Sequence, residues 1–247
     1  MKFLKKIFVV SLMSILILNV TNVNAMVSKE FGYTYEDVMN MTPSEFVDFV
    51  NRTVHESDLP FEEIKSRLNN IGIQLSDNVL QNTYSTSADV DLTLYSSHRG
   101  TEPYYYLTAG VTSKVYLNAE AGSEDLISVE WDPAAAEYYD TTTGQYTTYM
   151  DGSKRAKGIV LFNLQDKNLR KGEYAYASVR VKRKTGSKLD FQTKYVHTFD
   201  TTNFTWSIGG NVEYEQSTGI KGGMSFSVSG EAKQKSWQRF ADNTLYF

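Results

Sequence analysis

His55, His98 and His197 supply all the imidazoles in this chain of 247 residues, and there is no cysteine. General-base chemistry of the Ser-His-Asp kind needs a histidine beside a nucleophile on a sharp turn, and no G-x-S-x-G occurs. A histidine-rich metal site needs two or three ligands at short spacing, as in H-E-x-x-H, and that pattern is also missing. No GxxxxGK[ST] or GxGxxG follows a strand. Gly209-Gly210 and Gly222-Gly223 fall inside alternating segments, where glycine marks bulges or close packing. The sequence therefore assigns no catalytic residue, no metal and no cofactor. His197 shares one strand face with Leu189, Phe191, Thr193, Tyr195 and Phe199, so it is expected as a packed core residue hydrogen-bonded to a neighbour. His55 lies near a helix end and is expected in solvent. His98-Arg99-Gly100 reads as a loop.

Carboxylates could form a glycosidase pair across a cleft. Glu130, Asp132, Asp190 and Asp200 are available, but any acidic chain offers as many, and nothing selects a pair. They read as turn and strand-edge residues, with Trp131-Asp132-Pro133 a strand end passing into a turn. Asp140 to Asp151 is dense in hard oxygen ligands and is a conceivable calcium site, although its spacing does not match an EF-hand loop.

Tyrosine is the residue type most open to a binding role. There are 17, clustered at Tyr104-Tyr105-Tyr106, Tyr138-Tyr139, Tyr146 with Tyr149, and Tyr174 with Tyr176. Tyrosine stacks on sugars and anchors protein partners, and it also suits half-buried strands. Tyr138, Tyr139, Tyr146 and Tyr149 are the candidate ligand-binding residues, because they fall in or beside Asp140 to Ser153, the longest polar break and an expected exposed loop. The basic run Arg180 to Lys188 reads as a charged strand edge that blocks sheet-to-sheet pairing, or as a contact for an anionic polymer or headgroup.

These residues must be held by elements that the hydrophobic period reveals. Residues 26–84 form an N-terminal helical segment, helical to about residue 75. Thr42-Pro43-Ser44-Glu45 is a capping box with proline at N1, followed by Phe46, Phe49, Val50 and Val54 on one face. Tyr33 to Asn40 adds a short turn. A second helix after Pro60 carries Phe61, Ile64, Leu68 and Ile71, with Gly72 as C-cap. From about residue 85 the period becomes two. Val90, Leu92 and Leu94, Tyr104 to Leu117, Leu126 to Trp131, Tyr174 to Lys184 and Leu189 to Phe199 read as strands, and Ile159 to Leu164 as a central strand buried on both faces. The fold class that follows is mainly β, an antiparallel β-sandwich of Ig-like size over 85–247, preceded by a small helical hairpin.

Residues 1–25 have the form of a secretory signal peptide. Lys2, Lys5 and Lys6 precede the apolar run Ile7 to Leu18, and Val23-Asn24-Ala25 offers a cleavage site after Ala25. Export without cysteine suits a bacterial secreted protein stabilised by its core alone. Asn40, Asn51 and Asn203 head N-x-[ST] triplets. Removing three lysines and no acids takes the formal charge from −4 to −4 − 3 = −7. An acidic chain does not attract phosphate backbones, so no nucleic-acid partner is expected.

Phe204 to Ala232 alternates apolar with Thr, Ser, Gly, Asn and Glu, and Ser217-Thr218-Gly219 divides it into two arms of a β-hairpin. The reading that follows is a secreted, non-enzymatic β-sandwich that binds a protein or glycan at the cell surface or beyond it. The alternative is a membrane-active, pore-forming-like protein, because each arm has the length of about 10 residues that a tilted membrane strand needs. Membrane contact is the less favoured reading, since half-buried sandwich strands alternate in the same way.

Overall fold

The computed structural model describes residues 29–76, 89–115, 117, 125–150, 153–199, 205–208, 226–229 and 235–247. The expected signal peptide with its cleavage site, Asp151, Asp200, Asn203, the two glycine pairs and the turn expected at 217–219 lie outside the described residues, as do the side chains of Trp206, Ile208 and Phe226.

Helix α1 spans Tyr35–Asn40, α2 Pro43–Glu56 and α3 Phe61–Asn70. Capping boxes start the first two. The Thr34 hydroxyl accepts from the Asp37 amide while the Asp37 carboxylate accepts from the Thr34 amide, and Thr42 and Glu45 repeat the exchange with Pro43 at N1. Gly72 follows the third helix at φ +83°, a left-handed conformation that glycine adopts without a side-chain clash. There the helical segment ends. Ile73–Leu75 is β1, a strand pairing with β2, where the sequence pattern carries helix to about residue 75.

The strands make two antiparallel five-stranded sheets. Sheet 1 runs β1, β2 (Val90–Arg99), β3 (Tyr104–Ser113), β8 (Tyr174–Arg183), β5 (Ala136–Thr143). Sheet 2 runs β12 (Lys235–Tyr246), β9 (Lys188–Phe199), β4 (Asp125–Trp131), β7 (Ile159–Leu164), β6 (Thr147–Tyr149). Their facing sides share a core in which Trp131, Phe162, Phe191 and Tyr195 are closed from solvent. Burying each such side chain stabilises the fold by about 1.5–3 kcal/mol. The chain is thus a mainly-β sandwich with small N-terminal helices.

The helices brace the outer side of sheet 1. Phe46, Val47, Val50, Ile64 and Leu68 pack with Tyr95, Tyr106 and Tyr176 in a second core. Under the helices sheet 1 is therefore dry on both faces, and Thr93, which shares the outer side of β2 with Tyr95, is buried as well. The same packing corrects two expectations about histidine. His55 is not solvated: it stacks on Tyr174 at 4.4 Å and 14°. His98 and Arg99 belong to β2, and only Gly100 is in the turn. Asn51 is buried and donates to the Val47 carbonyl at 2.8 Å, which leaves no room there for a glycan.

Side chains close both margins of the sandwich. Asn243 on β12 donates to the Leu94 carbonyl at 3.2 Å, and Thr147 Oγ1 on β6 donates to the Tyr176 carbonyl at 2.6 Å.

Strands β10 (Thr205–Ile208) and β11 (Phe226–Ser229) form a separate two-stranded sheet. Their pairing, Thr205↔Ser229 through Ile208↔Phe226, is centred on (205 + 229)/2 = 217. The β9–β12 ladder has the same centre, since its Phe199↔Lys235 pair gives (199 + 235)/2 = 217. The two described ladders therefore share one register. In that register Trp206 pairs with Val228 and Ile208 with Phe226, while Thr205 pairs with Ser229 and Ser207 with Ser227.

Candidate functional site

Half of the expected loop at Asp140 to Ser153 is strand, at 140–143 and 147–149. Ala136–Thr143 is the β5 edge of sheet 1 and Thr147–Tyr149 the β6 edge of sheet 2, joined by a turn at Gly144–Tyr146. The turn is tight. Tyr146 takes φ +70°, and a Cβ on Gly144 would lie 2.4 Å from the Tyr176 ring. The correction has a simple cause: Thr141-Thr142-Thr143 and Thr147-Thr148 look like loop by polarity, but threonine is a strand former.

This edge separates the four candidate tyrosines. Tyr138 and Tyr149 come together, with the Arg155 guanidinium 5.1 Å from each ring centre and its Nη2 donating to the Tyr149 hydroxyl at 2.6 Å. Both, like Tyr146, are half-buried against the inter-sheet core. Tyr139 differs because side chains alternate along β5: it faces away from the inter-sheet core, where it is 50% exposed, and the bulge between Tyr138 and Asp140 keeps Asp140 on that same side. Tyr139 packs on Tyr104 at 4.4 Å with the rings tilted by 44°, and Arg180 lies 4.6 Å from the Tyr139 ring and 4.9 Å from the Tyr104 ring. Arg180 Nε donates to Asp140 Oδ1 at 2.9 Å, which fixes the guanidinium plane and commits Asp140 to an ion pair rather than to a cation site. Tyr104, Tyr139 and Arg180 thus form a preorganised aromatic and cationic platform beside the helices. Arg180 is on an interior strand of sheet 1, and Lys184–Ser187 connects sheet 1 to sheet 2, so the basic run is a corner rather than a sheet edge.

The carboxylates considered for catalysis are dispersed. Asp132 accepts from the Ala134 amide at 2.8 Å in the expected turn, and Asp190 accepts from Lys188 and Thr244. Glu130 points away from the inter-sheet core and is nevertheless buried. Burial pushes its carboxyl up to about 7, against hydrogen bonds from Ser128 at 2.6 Å and Gln192 at 2.7 Å. Lys194 is brought down to about 8, also by burial.

Sequence reasoning missed one constellation. Asp125 opens β4, His197 lies near the end of β9, and Asp166 begins the 3-10 turn Asp166–Asn168 after β7. His197 Nδ1 donates to Asp125 Oδ2 at 2.9 Å and lies 3.4 Å from Asp166 Oδ2. The Tyr195 hydroxyl also donates to Asp125 Oδ2. All three ligand-bearing side chains are buried. Burial and then Asp125 push the Asp166 carboxyl up to about 7. Burial works against a charged His197, but the Asp125 hydrogen bond and the nearby carboxylates outweigh it and raise its pKa. His197 is the hydrogen-bonded core residue that its strand face implies. Its acidic partners could not be found by spacing, because Asp125 and Asp166 are separated from it by whole strands.

Clefts of about 400 Å³ and 440 Å³ open on the helical surface, the first lined by Asp37, Glu45, Asp48 and Arg52 and the second by Glu62 and Lys65. Neither contains a histidine, Glu130 or the Asp125 cluster. No helix among the described residues is long and apolar enough to cross a membrane.

No family model and no curated protein matches the chain. Among solved structures, the sixth cohesin of scaffoldin B from Acetivibrio cellulolyticus aligns at 13% identity over 39% of this chain and 78% of that one, with a TM-score of 0.28. The N-terminal domain of a Streptococcus gordonii adhesin aligns at 14% identity over 36% and 24%, with a TM-score of 0.25. A structure from the Streptococcus parasanguinis Fap1 fimbriae aligns at 7% identity over 67% and 88%, with a TM-score of 0.30. Alignments this loose carry no function to the chain.

Proposed function

We propose that this chain is an exported, non-enzymatic β-sandwich that binds a protein or glycan at or beyond the cell surface, using the β5 edge. The observation that supports this reading is the Tyr104–Tyr139–Arg180 platform. It combines an exposed aromatic face with a guanidinium already locked by Asp140. Aromatic and arginine side chains held in one rotamer dominate binding energy at interfaces, because little conformational entropy is lost on contact. Stacking on a sugar ring uses the same geometry. Glycan-array and pull-down screening of the mature protein tests the proposal. A retained ligand whose affinity falls at least about tenfold in Tyr139→Ala, as loss of one anchor predicts, supports it. Absence of any ligand, or unaltered binding in Tyr139→Ala and Tyr104→Ala, counts against it.

The shared register of the β9–β12 and β10–β11 ladders supports a second reading, in which the distal hairpin contacts membrane. A register that pairs apolar with apolar residues and serine or threonine with serine matches the alternation of strands with one lipid-facing and one lumen-facing side. Dye release from liposomes separates the two readings: leakage that disappears in Trp206→Ser favours the hairpin, and silence across lipid compositions and pH removes it.

A further inference from the structure

Beyond the binding edge, we infer that Asp125, Asp166 and His197 form a site for one first-row divalent transition ion, of the Zn2+ or Mn2+ kind. The three ligand atoms lie within 4.8 Å of one another, and His197 Nδ1 is 2.9 Å and 3.4 Å from the two carboxylate oxygens. Ligand atoms bound about 2.1 Å from one ion stand roughly 3.0–3.4 Å apart at octahedral to tetrahedral angles. Both distances from His197 Nδ1 already fall near that range, and the two carboxylates, within 4.8 Å of each other, would close on the ion.

The independent observation is Asp166 Oδ2. Asp166 is 1% exposed, and this oxygen accepts no hydrogen bond although it is aimed at His197. Buried carboxylate oxygens normally have a donor, and a cation in the cluster supplies what this one lacks. An imidazole with two carboxylates suits a transition ion, whereas Ca2+ and Mg2+ prefer all-oxygen shells. On binding, the ion displaces the proton of His197 Nδ1 to solvent and bonds that nitrogen, Asp125 Oδ2 and Asp166 Oδ2. The Tyr195 hydroxyl, already on Asp125 Oδ2, becomes the outer hydrogen bond that orients the carboxylate. The ion would tie the start of β4, the end of β9 and the turn after β7, which is a cross-link made without cysteine.

The test uses the full mature protein, stripped with EDTA and titrated calorimetrically with Zn2+, Mn2+ and Ca2+. One equivalent of Zn2+ or Mn2+ is expected, with a rise in Tm. Asp166→Asn keeps the shape and removes the charge. It should fold with a metal-free Tm no lower than the wild type, bind at least about tenfold more weakly, and lose most of the Tm rise. His197→Gln should abolish the visible bands of a Co2+-loaded protein. No stoichiometric binding by the wild type, preference for Ca2+, or unaltered binding in both variants overturns the assignment.

Discussion

Arg99 Nη1 donates to the carbonyl of Met41 at 2.6 Å, and through that bond sheet 1 is fastened to the helices. The same nitrogen donates to the Val38 carbonyl at 2.9 Å, Nε donates to Glu102 at 2.9 Å, and the guanidinium lies over the Phe46 ring at 4.9 Å. One buried cation thereby satisfies the carbonyls where α1 ends and α2 begins. Arg99→Ala should cost about 3 kcal/mol, because it strands buried acceptors and the Glu102 charge. Arg99→Lys should recover less than half, since an ammonium lacks the fork. Urea denaturation followed by circular dichroism measures both.

His55 gives the helix face a pH dependence. Burial lowers its pKa from 6.5 to about 4, and its Nε2 has no hydrogen-bond partner. The unfolded chain protonates this imidazole below about 6.5 while the folded one stays neutral until about 4. Its contribution is therefore intact above pH 6.5 and is lost as pH falls from 6.5 to about 4, by up to about 3 kcal/mol. Glu130 acts in the opposite direction. Its folded value of about 7 exceeds the ordinary 4.5, so its contribution is intact below 4.5 and lost as pH rises to about 7. The two slopes cancel in part in the wild type. His55→Phe, which keeps a ring on Tyr174, should remove the acid-side loss, and its stability relative to wild type should rise steadily between pH 6.5 and 4. A constant difference across that range would exclude a buried, neutral His55.

Gly158 follows the turn Arg155–Lys157 at φ +72°, and its carbonyl accepts from the Trp131 amide at 2.9 Å. A Cβ there would stand 2.0 Å from the Trp131 carbonyl oxygen, a backbone atom that cannot rotate away. Gly158→Ala should cost about 2–4 kcal/mol, combining left-handed strain with displacement of β4 from β7. Gly172, at φ +84° with open space around it, is the control, and Gly172→Ala should cost only about 1 kcal/mol. Thermal melts of the two variants give the comparison.

Tyr139 and Tyr106 should behave differently although both belong to the tyrosine-rich part of sheet 1. Tyr106 is 1% exposed and packs on Phe46 at 4.8 Å, so Tyr106→Ala should cost about 3–5 kcal/mol. Tyr139→Ala should change stability by no more than about 1 kcal/mol, leaving any loss of ligand binding attributable to the platform itself. Differential scanning calorimetry beside the binding assay checks the pair.

Local order was legible in the residues themselves. Thr42, Pro43 and Glu45 start α2 because a cap is settled within four positions, and Ile159 to Leu164 reads as a buried strand because every side chain there is apolar except Asn163. The two arms at 205–208 and 226–229 pair as their alternation implies. Environment was not legible where it depends on what a distant element covers. His55 looks solvated until Tyr174 is folded onto it, and the threonines of 141–148 look like loop until β8 and β7 offer partners.

The sequence by itself determined the helical caps, the change of period near residue 85 and the antiparallel, cysteine-free sandwich, because propensity and alternation act over a few neighbouring residues. Only the tertiary structure decided which tyrosine faces solvent and that Asp125, Asp166 and His197 meet. The helices cover Tyr106 and Tyr176 on the outer side of sheet 1 but leave Tyr139 exposed, and the pairing of His197 with Asp125 spans 72 positions, a closure fixed by sheet order that no local spacing records.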